Sequence, residues 1–203
     1  MTPAVVVLGG TFDPVHRGHI AVLEQVLDRT GVQHGVLLPA ATPNLRAPAA
    51  APAAARLDMA RAAVGGHPRL EVSDLEVRRG GMSYTVDTVP ALAERYGEPV
   101  ALLLGADAAR RIQGWHRAEA LLDRAAFVVV NRSGEAAIDA PELAQLGYPA
   151  ARTLLLDVDS PPVRAAMVRA RIAAGESIAG LVPDAVAHII ERKQLYRDRS
   201  PCA

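Results

Sequence analysis

The segment Gly9-Gly10-Thr11-Phe12-Asp13-Pro14-Val15-His16-Arg17-Gly18-His19 concentrates groups suited to handling a phosphate. Paired glycines let the backbone approach a nucleotide closely. His16 and His19 are three residues apart across a tight turn, so both imidazoles can face one phosphorus centre. His19 falls where the following apolar periodicity opens a helix, and free amides and the helix dipole favour an anion there. The pattern is neither the Rossmann glycine fingerprint nor a P-loop. An ordinary glycine turn with surface histidines is the plainer alternative. A lone His-x-x-His would favour it. The combination of glycines, Asp-Pro and both histidines at one strand-to-helix junction weighs against it.

Such a junction needs a sheet to hold it. Short apolar runs alternate with longer amphipathic ones, which predicts an α/β protein: a doubly wound, Rossmann-like parallel sheet with helices on both faces. Strands are expected at 5–8, 35–38, 69–72, 100–104, 126–130 and 153–157. Helices are expected at 20–29, 56–64, 88–96, 165–174 and 183–193, with one more between 104 and 126 containing Trp115 and Leu121. Pro90 is read into the first turn of its helix, where proline is tolerated, and Pro183 suits an opening turn. The alanine- and proline-rich stretch 47–55 reads either as a mobile loop or as a stiff spacer. One domain is expected over 1–203, with terminal helices within 165–196 and a disordered tail at 197–203.

Composition narrows the partners. Lysine plus arginine number 22, as do aspartate plus glutamate. That balance argues against a general nucleic-acid binder. The single cysteine, Cys202, rules out an internal disulfide or a cysteine-based metal site. Neither a signal peptide nor a membrane-length apolar run is read, so the expectation is a cytoplasmic protein with no membrane partner. Homo-oligomerisation stays open. Lys193 is the only lysine, so arginine is expected wherever a relative uses lysine on a phosphate.

The glycine–histidine segment matches the GGTFDP-x-H-x-GH motif of the nucleotidyltransferases, and the chain resembles their bacterial nicotinate mononucleotide adenylyltransferase branch from about Val5 to Tyr196. Ser83-Tyr84-Thr85-Val86-Asp87-Thr88 is similar to the acceptor-binding segment. Gly105-Ala106-Asp107 followed by Trp115 is similar to the segment that holds the nucleotide ribose and stacks on the pyridine. Val130-Asn131-Arg132-Ser133-Gly134 resembles the strand-end Arg-Pro-Gly, and Leu181-Val182-Pro183-Asp184-Ala185-Val186 resembles the start of the last helix.

The resemblance implies transfer of AMP from ATP, with Mg²⁺, to nicotinate or nicotinamide mononucleotide in NAD biosynthesis. His16 and His19 are the implied catalytic pair. Gly9, Gly10, Thr11, Phe12, Gly105, Asp107, Arg132 and Arg169 would bind the nucleotide, and Tyr84, Thr85 and Trp115 the acceptor. No protein metal ligand is expected. Each secondary match has a bland counterpart. Trp115 could be core, Thr85 or Asp107 a helix cap, and Arg132 and Arg169 solvated charges.

Two segments depart from the family pattern. Pro43-Asn44-Leu45 stands where relatives carry Pro-His-Lys, leaving Arg46 to reach the phosphate. Val163-Arg164-Ala165-Ala166-Met167-Val168-Arg169 aligns without a gap on Ile-Ser-Ser-Thr-x-Ile-Arg, which keeps the last arginine, loses three hydroxyls and leaves Arg164 to compensate. A rival alignment would place 159–164 there with an insertion. A pathway-specific relative using another acceptor or nucleotide, and a non-catalytic nucleotide-binding homologue, remain as alternative functions.

Overall fold

Strands covered on both faces have no polar side to show, and the four central ones of this chain read accordingly as apolar runs, while the two edge strands each carry an acidic residue, Glu71 and Asp157. The computed structural model describes residues 3–43 and 48–197, so Arg46, Asn44, Leu45 and most of the expected tail lie outside the described residues. Six strands form one sheet: β1 (Val5–Gly10), β2 (Gly35–Pro39), β3 (Leu70–Val72), β4 (Val100–Gly105), β5 (Ala126–Arg132) and β6 (Thr153–Val158). Their order is β3-β2-β1-β4-β5-β6, and every neighbouring pair is parallel. This is the doubly wound arrangement, with its switch point between β1 and β4.

Alternate residues of each strand serve opposite layers. Val6, Leu37, Leu103 and Val128 pack with α1 (Arg17–Thr30), α2 (Ala53–Val64), α8 (Ala165–Ala173) and α9 (Asp184–Arg192). Val7, Val36, Leu102 and Phe127 pack with α4 (Thr85–Tyr96), α5 (Ala106–Arg110), α6 (Ala118–Arg124) and α7 (Ala140–Gln145). The short α3 (Leu75–Arg79) joins the second layer through Leu75. No helix among the described residues is long and apolar enough to cross a membrane.

Several sequence-based boundaries change. α1 starts at Arg17 rather than 20, because His16 is its extended N-cap; it ends on left-handed Gly31, whose amide reaches the Leu27 carbonyl at 3.0 Å. α4 starts at Thr85, which puts Pro90 in the second turn instead of the first. The ring therefore removes the hydrogen bond that the Val86 carbonyl would have received. The single helix expected around Trp115 is three pieces: α5, a 3₁₀ turn at Ile112–Gly114, and α6. Trp115 lies between helices, extended. Pro183 is the N-cap of α9 and not its first turn. Neither α3 nor α7 is expected from periodicity, as each spans under two turns.

Gly35 sets how closely α1 approaches the sheet. A Cβ there would stand 2.7 Å from Leu70 Cδ2, 3.0 Å from Leu27 Cδ1 and 3.1 Å from Leu23 Cγ. Gly35→Ala is therefore expected to cost about 1–3 kcal/mol through overpacking, read as a lower urea midpoint with an unchanged slope. An unchanged midpoint would mean that α1 is not seated by this contact.

Candidate active site

β1 and β4 end side by side at the switch point, and the glycine–histidine segment leaves β1 there. Gly9 is exposed, and a Cβ on it would meet nothing within 4 Å, so its backbone borders open space. Gly10 is tighter: its Cβ would lie 3.2 Å from the Phe12 ring. Phe12 is buried with φ +49, a left-handed conformation costly for a bulky residue. Its ring supports His19 edge-to-face, with centroids 5.0 Å apart.

The two histidines stack, their centroids 3.6 Å apart and planes 21° from parallel. The His16 amide donates to His19 Nδ1 at 3.2 Å. That bond places the proton of a neutral His19 ring on Nε2. Gly18 makes room for the other ring, since its Cβ would come 3.1 Å from His16 Nδ1. His16 is 4 % exposed, and its Nδ1 is buried without a hydrogen-bond partner. Burial, helped by the Arg132 charge, lowers its pKa from 6.5 to about 4.

Arg132 closes this side at the end of β5. Its Nη2 is 2.9 Å from Glu135 Oε2 and 3.7 Å from where a Gly105 Cβ would stand. Its Nε is buried without a partner. Arg164 is the N-cap of α8, highly exposed, with Nη2 3.9 Å from the same Glu135. Arg169, one turn and more into α8, donates from Nη1 to the Asp13 carbonyl at 2.6 Å. Arg169 thus reaches the segment that carries His16, whereas Arg164 reaches Glu135; α8 starts at Ala165.

The opposite side comes from α4 and the turn after α5. Tyr84, the extended N-cap of α4, lies against His116 with centroids 4.2 Å apart. Thr85 is the first helical residue, half-buried, and so is not a cap. Trp115 is half-buried at the margin of the second core. Gly105, not Asp107, caps α5; Asp107 stands in the first turn with its side chain 72 % exposed. Ser83 fastens this side to the exit of β2, where its Oγ accepts from the Ala41 amide at 2.9 Å.

Sequence reasoning did not assign roles to the groups that hold these parts in place. Asp13 is buried, and its carboxylate accepts from the Ala50 and Ala51 amides at 2.7 and 3.1 Å and from the Tyr196 hydroxyl at 2.8 Å. The alanine–proline stretch is therefore fastened to the motif at 50–51, and residues 53–55 open α2. Arg56 is 1 % exposed. It donates to the carbonyls of Thr11 (2.7 Å), Ala40 (2.7 Å), Ala41 (2.8 Å) and Ala51 (3.1 Å). His116 and Glu135 carried no motif. Asp13 was visible within one, but its partners lie 37 residues or more away in sequence. Among the described residues no group of three or more His, Cys, Asp or Glu is placed to hold a metal ion.

Comparison with known proteins bears on the same segments. A cytidylyltransferase-like family model matches residues 7–171. A relative named probable nicotinate-nucleotide adenylyltransferase in Bordetella avium is 40 % identical over 193 residues, covering 94 % of this chain and 96 % of its own. One of the same name in Symbiobacterium thermophilum is 40 % identical over 197 residues, covering 95 % and 94 %. Among solved structures, the Plasmodium falciparum nicotinic acid mononucleotide adenylyltransferase complexed with NaAD superposes with a TM-score of 0.78 at 19 % identity, covering 95 % of this chain and 96 % of its own. Its complex with APC gives 0.76 at 18 % identity over the same shares. At those identities the superpositions speak for the fold, whereas the sequence relatives speak for the family. By its family-model match and its sequence relatives the chain belongs to the nicotinate-nucleotide adenylyltransferases of the cytidylyltransferase-like family.

Proposed function

We propose that this protein transfers AMP from ATP to nicotinate mononucleotide, forming the dinucleotide and pyrophosphate in NAD biosynthesis. The observation that carries the reading is the stacked His16–His19 pair on a glycine turn at the sheet's switch point. Family membership adds to it. A 5′-phosphate oxygen of the acceptor attacks the α-phosphorus in line. The new P–O bond forms as the bond to the bridging oxygen breaks, and pyrophosphate leaves with the electron pair. The nucleophile is already an anion near neutral pH, so neither a general base nor a covalent intermediate is required.

The histidines then act by alignment and hydrogen bonding to the α-phosphate. With its pKa near 4, His16 meets the substrate as a neutral imidazole. Two cationic rings with centroids 3.6 Å apart would repel each other, and a neutral His16 avoids that. Arg132, Arg164 and Arg169 take the remaining phosphate charge, together with the open amides at the start of α8. Asp107 accepts from the ribose, and Tyr84, Thr85 and Trp115 hold the pyridine ring. Magnesium enters as part of the magnesium–ATP substrate, carried mostly by phosphate oxygens and water. A single cysteine supports a cytoplasmic setting.

One feature favours a second reading, a different acceptor or nucleotide. The first turn of α8 is Ala165, Ala166 and Met167, with no hydroxyl for a triphosphate. Hydrogen bonds to charged groups contribute roughly 1.5–3 kcal/mol each, so the loss must be offset by Arg164 or accepted as a changed preference. Incubation with magnesium–ATP and a panel of mononucleotides, reading pyrophosphate release, separates these. Product with nicotinate mononucleotide is expected. Product with another acceptor alone would establish the second reading, and nucleotide binding without turnover on any acceptor would reject both.

Three tests address the assignments. His16→Ala and His19→Ala are each expected to lower kcat about 10²- to 10³-fold with ATP affinity little changed; wild-type turnover would remove their phosphate role. Arg164→Ala should raise the Michaelis constant for ATP about tenfold or more, and an unchanged constant would rule out compensation. The third test concerns stability. A histidine that titrates at 6.5 when unfolded and about 4 when folded binds its proton first in the unfolded chain. Unliganded stability therefore falls as pH drops through that window and levels off below it. His16→Gln should remove this part of the slope in thermal melts, and an identical slope would mean that His16 is not held neutral by burial.

A further inference from the structure

The adenylyl-transfer reading uses both histidines, the arginines and the acceptor clamp, but not the part-buried hydroxyl of Tyr196. This residue lies near the chain's end, beyond α9, packed against the first core layer. Its φ is +63, as Gln194 just before it is at +51; both are left-handed without glycine's freedom. A strained backbone persists only where its surroundings over-determine it. Here the surroundings are specific. The Tyr196 hydroxyl donates to Asp13 Oδ1 at 2.8 Å, on the same oxygen that receives the Ala51 amide. Asp13 lies three residues before His16, and its own carbonyl receives Arg169. Asp13 thus joins α8 and the stretch ahead of α2 to the turn that carries both imidazoles, and the Tyr196 hydroxyl ties the C-terminal segment to the same residue.

Resting on the adenylyl-transfer reading, we propose that Tyr196 is a positioning residue: through Asp13, its hydroxyl fixes the turn that presents His16 and His19 to the phosphorus under attack. Tyr196 touches no substrate in this arrangement. Its removal therefore acts on alignment in the transition state more than on binding, which rests on groups of β4, α4, β5 and α8.

The test is Tyr196→Phe in the full chain, which keeps the ring and its packing. The expected result is a fall in kcat of roughly ten- to a hundred-fold, with the Michaelis constants for ATP and acceptor little changed. Lys193→Ala breaks the other tie of the same terminus, 2.6 Å to Asp58, and should leave kcat as it was. Asp13→Asn should lose kcat as well, and the double variant should lose less than the product of the two single effects. Wild-type kcat in Tyr196→Phe, an equal loss in Lys193→Ala, or multiplicative effects in the double variant would each overturn the assignment. A readout independent of turnover is the His16 ring titration by NMR, expected to rise from about 4 toward 6.5 in Tyr196→Phe as the turn loosens. If the wild type turned over no nicotinate mononucleotide, the substrate reading would fail, while an unmoved His16 titration would still overturn the positioning role.

Discussion

A charged guanidinium at the bottom of the active-site loops constrains everything above it. Taking an ion out of water is costly unless its donors are satisfied, and Arg56 is almost wholly buried. It meets the requirement with backbone carbonyls from three separate places: the turn that leads to the two histidines, the exit of β2 and the approach to α2. Carbonyls belong to the main chain and cannot swing away as side chains can. Each bond therefore fixes a stretch of loop rather than a rotamer. Burial lowers the Arg56 pKa from its ordinary value, and the nearby Asp13 carboxylate opposes that shift. Asp13 in turn uses its carboxylate on the amides of the same approach segment. Donor and acceptor are complementary, so three irregular segments become one rigid floor under the histidines.

Above that floor the cations are held differently. Arg132 and Arg164 share Glu135, and Arg169 sits on Asp13. Exposed pairs of this kind contribute about 0–1 kcal/mol, and Arg164, 77 % exposed and 3.9 Å from its carboxylate, falls at the weak end. A triphosphate can draw it away at little cost. Arg132 is more enclosed and closer to its partner, and its buried Nε still lacks an acceptor. A phosphate oxygen reaching that atom would satisfy it without breaking the Glu135 contact. The rigid parts of the site thus belong to alignment, and the exchangeable parts to charge.

What could be read in the sequence followed from periodicity and from one dense motif. Runs such as 100–104 and 126–130 were apolar enough to place every strand within a few residues, because a sheet buried on both faces demands such runs. The Gly9–His19 segment could be singled out as a strand-to-helix junction carrying two imidazoles, and the structure stacks those two rings there. Elements of one or two turns, α3 and α7, carry too little periodicity to register. Pro90 misled the reading of α4, because a proline is expected in a first turn and tertiary packing of Val86, Val89 and Leu92 overrode that expectation. Arg56 carries no motif in the sequence, and nothing local distinguishes a buried arginine from a solvated one. The roles of Asp13, Tyr196 and Glu135 were hidden for the same reason: they are defined by partners on other loops.

The missing hydroxyls of α8 can be weighed on this basis. A hydroxyl in a first helical turn offers a phosphate one neutral donor at a fixed point, whereas an arginine N-cap offers several charged donors on a long arm. The arm loses more side-chain entropy on binding, but its charge-assisted bonds are stronger, and it need not sit in the turn to reach the ligand. Arg164 occupies the N-cap, where the helix dipole disfavours a cation. A buried or tightly paired cation would be a poor choice at that position. An exposed one that is loosely held by Glu135 keeps its hydration until an anion arrives, so the helix end and the arginine act on the same ligand without first opposing each other strongly.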